Sequence, residues 1–301
     1  MGSPPASSTR SPKVSLIDSV PALQQFLKTI TPCSSLYLDL EGTNLGRYDG
    51  TLDIMTVLVP PHQEVRLLDI KTLGKKALAI SPPEDTTKTL KSILEDPTTV
   101  KYIWSARNDA AALNWLFNVE MRGVLDIQLL ETLTRSNDNG NNNKRRDISL
   151  DTAVERDLQL NAQEQARWHK LKKKFHGRMT WARGLFSSRP LDARTIRYCA
   201  GDVRYLPLLQ KVYEERPVYN AQFLETLRMA SAARVLQACG RGERKRTRPT
   251  ASQRRSFGTL TQISPRGEAF AFPRAGGQTA YRGLGSTLVP KLVFLARRVI
   301  P

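Results

Sequence analysis

Residues 35–42 read Ser-Leu-Tyr-Leu-Asp-Leu-Glu-Gly. In an extended strand alternate side chains share a face, so Leu36, Leu38 and Leu40 point one way and Tyr37, Asp39 and Glu41 the other. Two carboxylates side by side at the end of a core strand repel each other and lose hydration. A divalent cation between them relieves both penalties. The plainer alternative is a solvated strand end, and an Asp-x-Glu pair by itself leaves both open.

Outward from this strand the chain alternates strands with helices. IDSVPALQQFLKTI (17–30) predicts a helix, with Asp18 or Ser19 as cap and Pro21 in the first turn. TLDIMTVLV (51–59) and EVRLLDI (64–70) predict two strands joined by a short turn, hence a hairpin. TVKYIWS (99–105) and GVLDI (123–127) add two more, with helices expected over 87–94, 108–117 and 128–134. The stretch 136–147 is Asn-rich and reads as an exposed loop. From Ser149 to about Ala238 the pattern is nearly all helical, and Pro207 should break or kink the segment 192–214. This is an α/β domain with a mixed sheet of five strands, the second antiparallel to its neighbours, flanked by helices.

Composition bounds the partners. The 301 residues carry a formal net charge of +18, and 40% are apolar, enough for a core. Residues 241–301 hold thirteen Lys and Arg against two acidic residues. A basic tail on a mildly basic body suits a polyanion such as nucleic acid; a solvated tail without a specific partner is the alternative. Residues 1–14 are expected to be disordered, 15–238 to form the domain, and 239–301 to be a basic, largely disordered tail. Cys33, Cys199 and Cys239 are too widely spaced for a zinc site, and their odd number gives no disulfide framework. The N-terminus lacks a signal-peptide core, and no apolar run is long enough to span a bilayer. The expectation is a soluble intracellular protein, nuclear or cytoplasmic, with no membrane partner. RKRTR (244–248) matches a nuclear localisation pattern, as short basic runs often do by chance.

Two further segments bear on chemistry. In RYCAGDVRYL (197–206), Tyr198 and Asp202 stand four apart, on one face of a helix. A phenol and a carboxylate so placed can hold a water, although such pairs are common on surface helices. In ARNDAAALNWL (106–116), Asp109 falls in the first turn of a helix that follows a strand directly. The helix dipole alone accounts for an acidic residue there.

In combination the order is specific: strand with Asp39 and Glu41, then Asp109 opening a helix, then Tyr198 and Asp202 on a later helix. With VRLLDIKTLG, GVLDIQLLE and SRPLDARTIRYCAGDVRYLPLL, the chain resembles the DEDD superfamily of 3′–5′ exonucleases over roughly residues 15–215. The likeness is to its tyrosine-containing (DEDDy) branch, which includes ribonuclease D and the 3′–5′ exonuclease domain-containing proteins. The resemblance implies a ribonuclease H-like fold and two divalent cations, Mg²⁺ or Mn²⁺, held by Asp39, Glu41, Asp109 and Asp202. Asp39 would bridge the two, Glu41 and Asp202 would serve the water-activating ion, and Tyr198 would orient the attacking water. Gly42, Thr43, Asn44, Leu45 and Asn108 would receive the terminal nucleotide of a single-stranded 3′ end, RNA ahead of DNA. Many relatives carry a His shortly before the Asp109 position; here the segment is YIWSARND. A scaffold that binds nucleic acid without cutting it, or a DNA repair or proofreading nuclease, are the competing readings. The run 169–188 offers Lys170, Lys172, Lys173, Lys174, Arg178 and Arg183 as phosphate contacts or as a solvated face.

Overall fold

The computed structural model describes residues 13–31, 34–60, 64–135, 146–181 and 184–246. In chain order these form β1 (Val14–Ile17), α1 (Val20–Thr29), β2 (Ser35–Glu41), β3 (Ile54–Leu58), β4 (Val65–Leu68), α2 (Ile70–Leu73), α3 (Leu90–Glu95), β5 (Val100–Ile103), α4 (Arg107–Phe117), β6 (Val124–Asp126) and α5 (Ile127–Thr134). Five helices follow: α6 (Leu150–Asp157), α7 (Ala162–Trp181), α8 (Ala193–Arg204), α9 (Leu206–Glu214) and α10 (Ala221–Arg246).

The sheet runs β1-β4-β3-β2-β5-β6, so it has six strands rather than the expected five. The added strand is β1, which pairs parallel to β4 from Val14↔Val65 to Ile17↔Leu68. Four residues beside a Ser- and Pro-rich stretch carry too little periodicity to be read as a strand; the open edge of β4 gives them their structure. β3 runs antiparallel to β2 and β4, closing the expected hairpin, while β2, β5 and β6 are mutually parallel. Every residue of β3 is buried, as an inner strand covered on both faces requires.

Leu36, Leu38 and Leu40 pack with Leu23, Leu27, Leu94 and Leu113 from α1, α3 and α4. Tyr37, on the other face, joins Val154, Phe175, Val203 and Leu209 from α6 to α9. The alternation read along 35–42 therefore holds, and β2 carries its acidic face toward the helices of the C-terminal half. Helix starts follow local chemistry: Thr89 and Ser92 form a capping box, and Ser149 and Asp192 cap α6 and α8. The break in 192–214 falls at Tyr205, with Pro207 in the first turn of α9, where its missing N–H costs nothing. Helix α10 runs on to Arg246, past the boundary expected at 238. Residues 1–12, 136–145 and 247–301 lie outside the described residues, and with them the disorder expected of both termini and most of the Asn-rich loop.

Candidate active site

Asp39 and Glu41 enter the site from β2, at the centre of the sheet. Opposite them lies α8, which presents Tyr198 and Asp202, both buried. Its close approach to α7 depends on Gly201, where a Cβ would come within 3.2 Å of the Trp168 ring. Asp39, Glu41 and Asp202 each offer a carboxylate oxygen within 4.8 Å of the others. One oxygen of Asp39, Oδ2, is buried without any hydrogen-bond partner.

Asp109 arrives by a different route. It sits in the first turn of α4, buried, and its Oδ1 accepts the Leu40 backbone N–H at 3.1 Å, between the two acidic residues of β2. The start of α4 has no side-chain cap of its own. Asp126, at the end of β6, supplies one from the strand next to β5: its carboxylate accepts Ser105 N–H at 3.2 Å and Ala106 N–H at 2.9 Å, while also capping α5. Arg234 of α10 donates to the same carboxylate at 2.9 Å.

The electrostatics follow from this crowding. Burial, then Glu41, Asp202 and Asp109, drive the Asp39 carboxyl well above the usual carboxylate range, partly countered by Lys172. Glu41 rises for the same reasons, burial first and Asp202 next. Burial lifts Asp109 to about 7 against the hydrogen bond from Leu40. Asp202 rises with burial but is restrained by Lys172, whose ammonium donates to its Oδ1. Burial and the neighbouring carboxylates also push the Tyr198 phenol far up, so it stays protonated. Its ring is fixed by stacking on Phe175 at 3.8 Å.

Beyond β2 the chain turns through the segment expected to meet substrate. A Cβ on Gly42 would lie 2.0 Å from the Thr51 carbonyl oxygen, and one on Gly46 would lie 2.7 Å from Asn108 Cα. Only glycine permits these approaches. The second brings the loop carrying Thr43, Asn44 and Leu45 against Asn108 at the start of α4. Thr43 and Asn44 are exposed, and Leu45 is partly buried against the core.

The sequence model of the 3′-5′ exonuclease family matches residues 15–214. The chain belongs to this family. The exonuclease is thus a phosphodiester hydrolase, of a family that uses divalent metal ions, and it carries an acidic cluster suited to them. No protein of curated function matches it in sequence. Among solved structures it is similar to ribonuclease D of Trypanosoma brucei: TM-score 0.61 and 22% identity, covering 76% of this chain and 73% of that one. The same enzyme in complex with RNA U12 gives 0.59 and 20% over 76% and 71%. Ribonuclease D of Escherichia coli gives 0.52 and 19% over 75% and 51%. These likenesses confirm the ribonuclease H-like architecture of the exonuclease.

The cations of 169–188 divide. Lys170, Lys173 and Lys174 are exposed, and Arg178 pairs with Asp192 at 3.0 Å. Arg183 lies outside the described residues. Lys172 is buried, a place neither sequence reading gave it. Two other residues near the cluster escaped the sequence: Asp151, 3.4 Å from Lys172 Nζ, and His176, 3.8 Å from Asp151. The spacing of Lys172 and His176, one helical turn apart, was the only available sign, and the surrounding lysines hid it.

Proposed function

We propose that the exonuclease shortens single-stranded RNA from its 3′ end, using two divalent ions, Mg²⁺ or Mn²⁺, held by Asp39, Glu41, Asp109 and Asp202. The observation that carries the reading is the convergence of Asp39, Glu41 and Asp202 within 4.8 Å, with one buried oxygen of Asp39 unpartnered. Carboxylates that repel and are driven toward the protonated state form a poor structural feature and a good oxygen-donor set for a hard cation. When bound, the ions supply a nucleophilic hydroxide at neutral pH and stabilise charge on the leaving oxygen. Tyr198, held protonated, orients the attacking water beside Asp202. Asp109 supports the β2 backbone between the two acidic residues and completes the ligand set. Gly42, Thr43, Asn44, Leu45 and Asn108 receive the terminal nucleotide, and reading an end rather than a base sequence follows from contacts to sugar and phosphate.

The choice of RNA is supported by the relatives: one ribonuclease D was crystallised with an RNA, and the Escherichia coli enzyme is described as an exoribonuclease involved in structured RNA processing. Digestion of matched RNA and DNA single strands, labelled at the 5′ end, tests it in Mg²⁺, in Mn²⁺ and with EDTA. A ladder shortening from the 3′ end of RNA, lost with EDTA, is the expected result. Faster digestion of DNA would reverse the substrate choice, and full activity in EDTA would remove the metal mechanism.

A further inference from the structure

Lys172 is a buried ammonium inside a site built for metal ions. Its side chain is 7% exposed on α7, and its Nζ lies 4.7 Å from the Trp168 ring centroid and 4.2 Å from that of Tyr198. It donates to Asp202 Oδ1, one of the clustered carboxylates. The same Nζ is 3.4 Å from Asp151 Oδ1 on α6, whose side chain is 24% exposed and lies outside the cluster. The lysine therefore has two anionic partners within reach, one inside the cluster and one beside it.

We propose that Lys172 is an exchange cation: it neutralises Asp202 while the cluster lacks a divalent ion, and it passes to Asp151 when an ion binds. This rests on the metal-site reading above. Three physical requirements are met. A buried ammonium needs an anionic partner in both states, and Asp151 supplies the second. The path between partners needs a flexible stem, which four methylenes provide. The aromatic faces of Trp168 and Tyr198 keep the cation stabilised as it shifts. An ammonium at Asp202 Oδ1 and a divalent ion on the same carboxylate repel each other at close range, so ion binding and lysine release are one equilibrium. The lysine also gives the metal-free cluster a counterion, which lets three close carboxylates fold together.

The sign of the effect separates this from a structural lysine. Calorimetric titration of Mn²⁺ into the full chain, without substrate, reads it directly. Lys172→Met should bind Mn²⁺ about tenfold more tightly than wild type, because no occupant has to leave. Asp151→Asn should bind about tenfold more weakly, because the released ammonium has lost its second partner. In the Lys172→Met background the same Asp151→Asn change should matter less than about twofold. Lys172→Arg keeps the charge and grips Asp202 with a planar fork, so it should weaken Mn²⁺ binding and serves if Lys172→Met does not fold. Additive effects of Lys172→Met and Asp151→Asn would mean only a long-range field and overturn the exchange. So would unchanged or weaker Mn²⁺ binding in Lys172→Met, or tighter binding in Lys172→Arg. Asp202→Asn separates the two readings. If it binds Mn²⁺ as wild type does, the metal site itself is misassigned and the exchange falls with it. If it loses binding while Lys172→Met gains none, the exchange alone fails.

Discussion

At the scale of single residues, Asp39 and Asp202 look equivalent in sequence and differ in the folded protein. Both are expected to be required for cleavage, so Asp39→Ala and Asp202→Ala should each abolish RNA degradation. Their effects on the metal-free fold should differ in size. Asp39 is crowded by Glu41, Asp202 and Asp109 and has an unpartnered oxygen, so removing it relieves repulsion and raises Tm. Its carboxyl sits above its unfolded value. The stability it contributes is therefore present in acid and lost as pH rises, and the gain from Asp39→Ala should be larger at pH 8 than at pH 4. Asp202 is also raised by burial but pairs with buried Lys172, which keeps Asp151 within reach when Asp202 is gone, so Asp202→Ala should raise Tm less than Asp39→Ala does. Melting both variants in EDTA checks the contrast; equal shifts would refute it. Tyr198→Phe keeps the ring stacked on Phe175 and removes only the hydroxyl. Its kcat should fall about a hundredfold, with RNA affinity in Ca²⁺ nearly unchanged. A large loss of binding would make Tyr198 structural.

At the scale of elements, the segment Ser188–Asp192 that leads into α8 is tied to the sheet by Arg189. The guanidinium donates to both oxygens of Asp69, each at 2.5 Å, where Asp69 caps α2 just after β4. Ser187 adds a hydrogen bond of 2.6 Å to buried Asp53. These contacts fix the approach of α8 to β2, and so the placement of Tyr198 and Asp202. Arg189→Ala should cost about 3 kcal/mol, most of it from stranding the Asp69 carboxylate. Burial alone would raise the Asp69 carboxyl, but hydrogen bonds from Arg189 and Thr72 outweigh it and hold it below its usual range. That stability is present above about pH 4 and lost on acidification. The gap between wild type and Arg189→Ala in urea should accordingly be wide at pH 7 and narrow toward pH 3. A pH-independent gap would show that packing, not the ion pair, is responsible.

At the scale of the whole molecule, the family match ends at residue 214, but α10 is built into the working edge of the sheet. Arg234, 6% exposed, donates to Asp126 and Gln128 at 2.9 and 3.0 Å, and Ser231 Oγ accepts the Asp126 N–H at 3.1 Å. Asp126 in turn caps the turn that launches α4 and Asp109. Truncation after residue 220 should therefore give a protein that melts lower, or fails to fold, and has lost activity. Truncation after residue 246 should keep both Tm and kcat on a short saturating RNA. It should also flatten the dependence of log K on log salt, because the removed cations no longer release counterions from a bound strand. Equal salt slopes with and without the tail would leave it as an address or a docking segment.

The alternation in 35–42 and the i,i+4 spacing of Tyr198 and Asp202 are properties of the backbone period, so the sequence alone put Asp39 with Glu41 and Tyr198 with Asp202. The hairpin of β3 and β4 was legible for the same reason, and Pro207 announced a break in 192–214 through its ring and missing N–H. Local periodicity says nothing about which distant elements meet. The pairing of β1 with β4 comes from an open sheet edge, and the cap on α4 comes from Asp126 on another strand. Helix α10 extends beyond the family match, and no local pattern tells that Arg234 is its buried anchor. Lys172 is the sharpest case, one of three consecutive lysines in the sequence. Only the packing of α7 on α8 sends it alone into the carboxylate cluster, because burial and charge pairing depend on neighbours that the chain reaches only by folding.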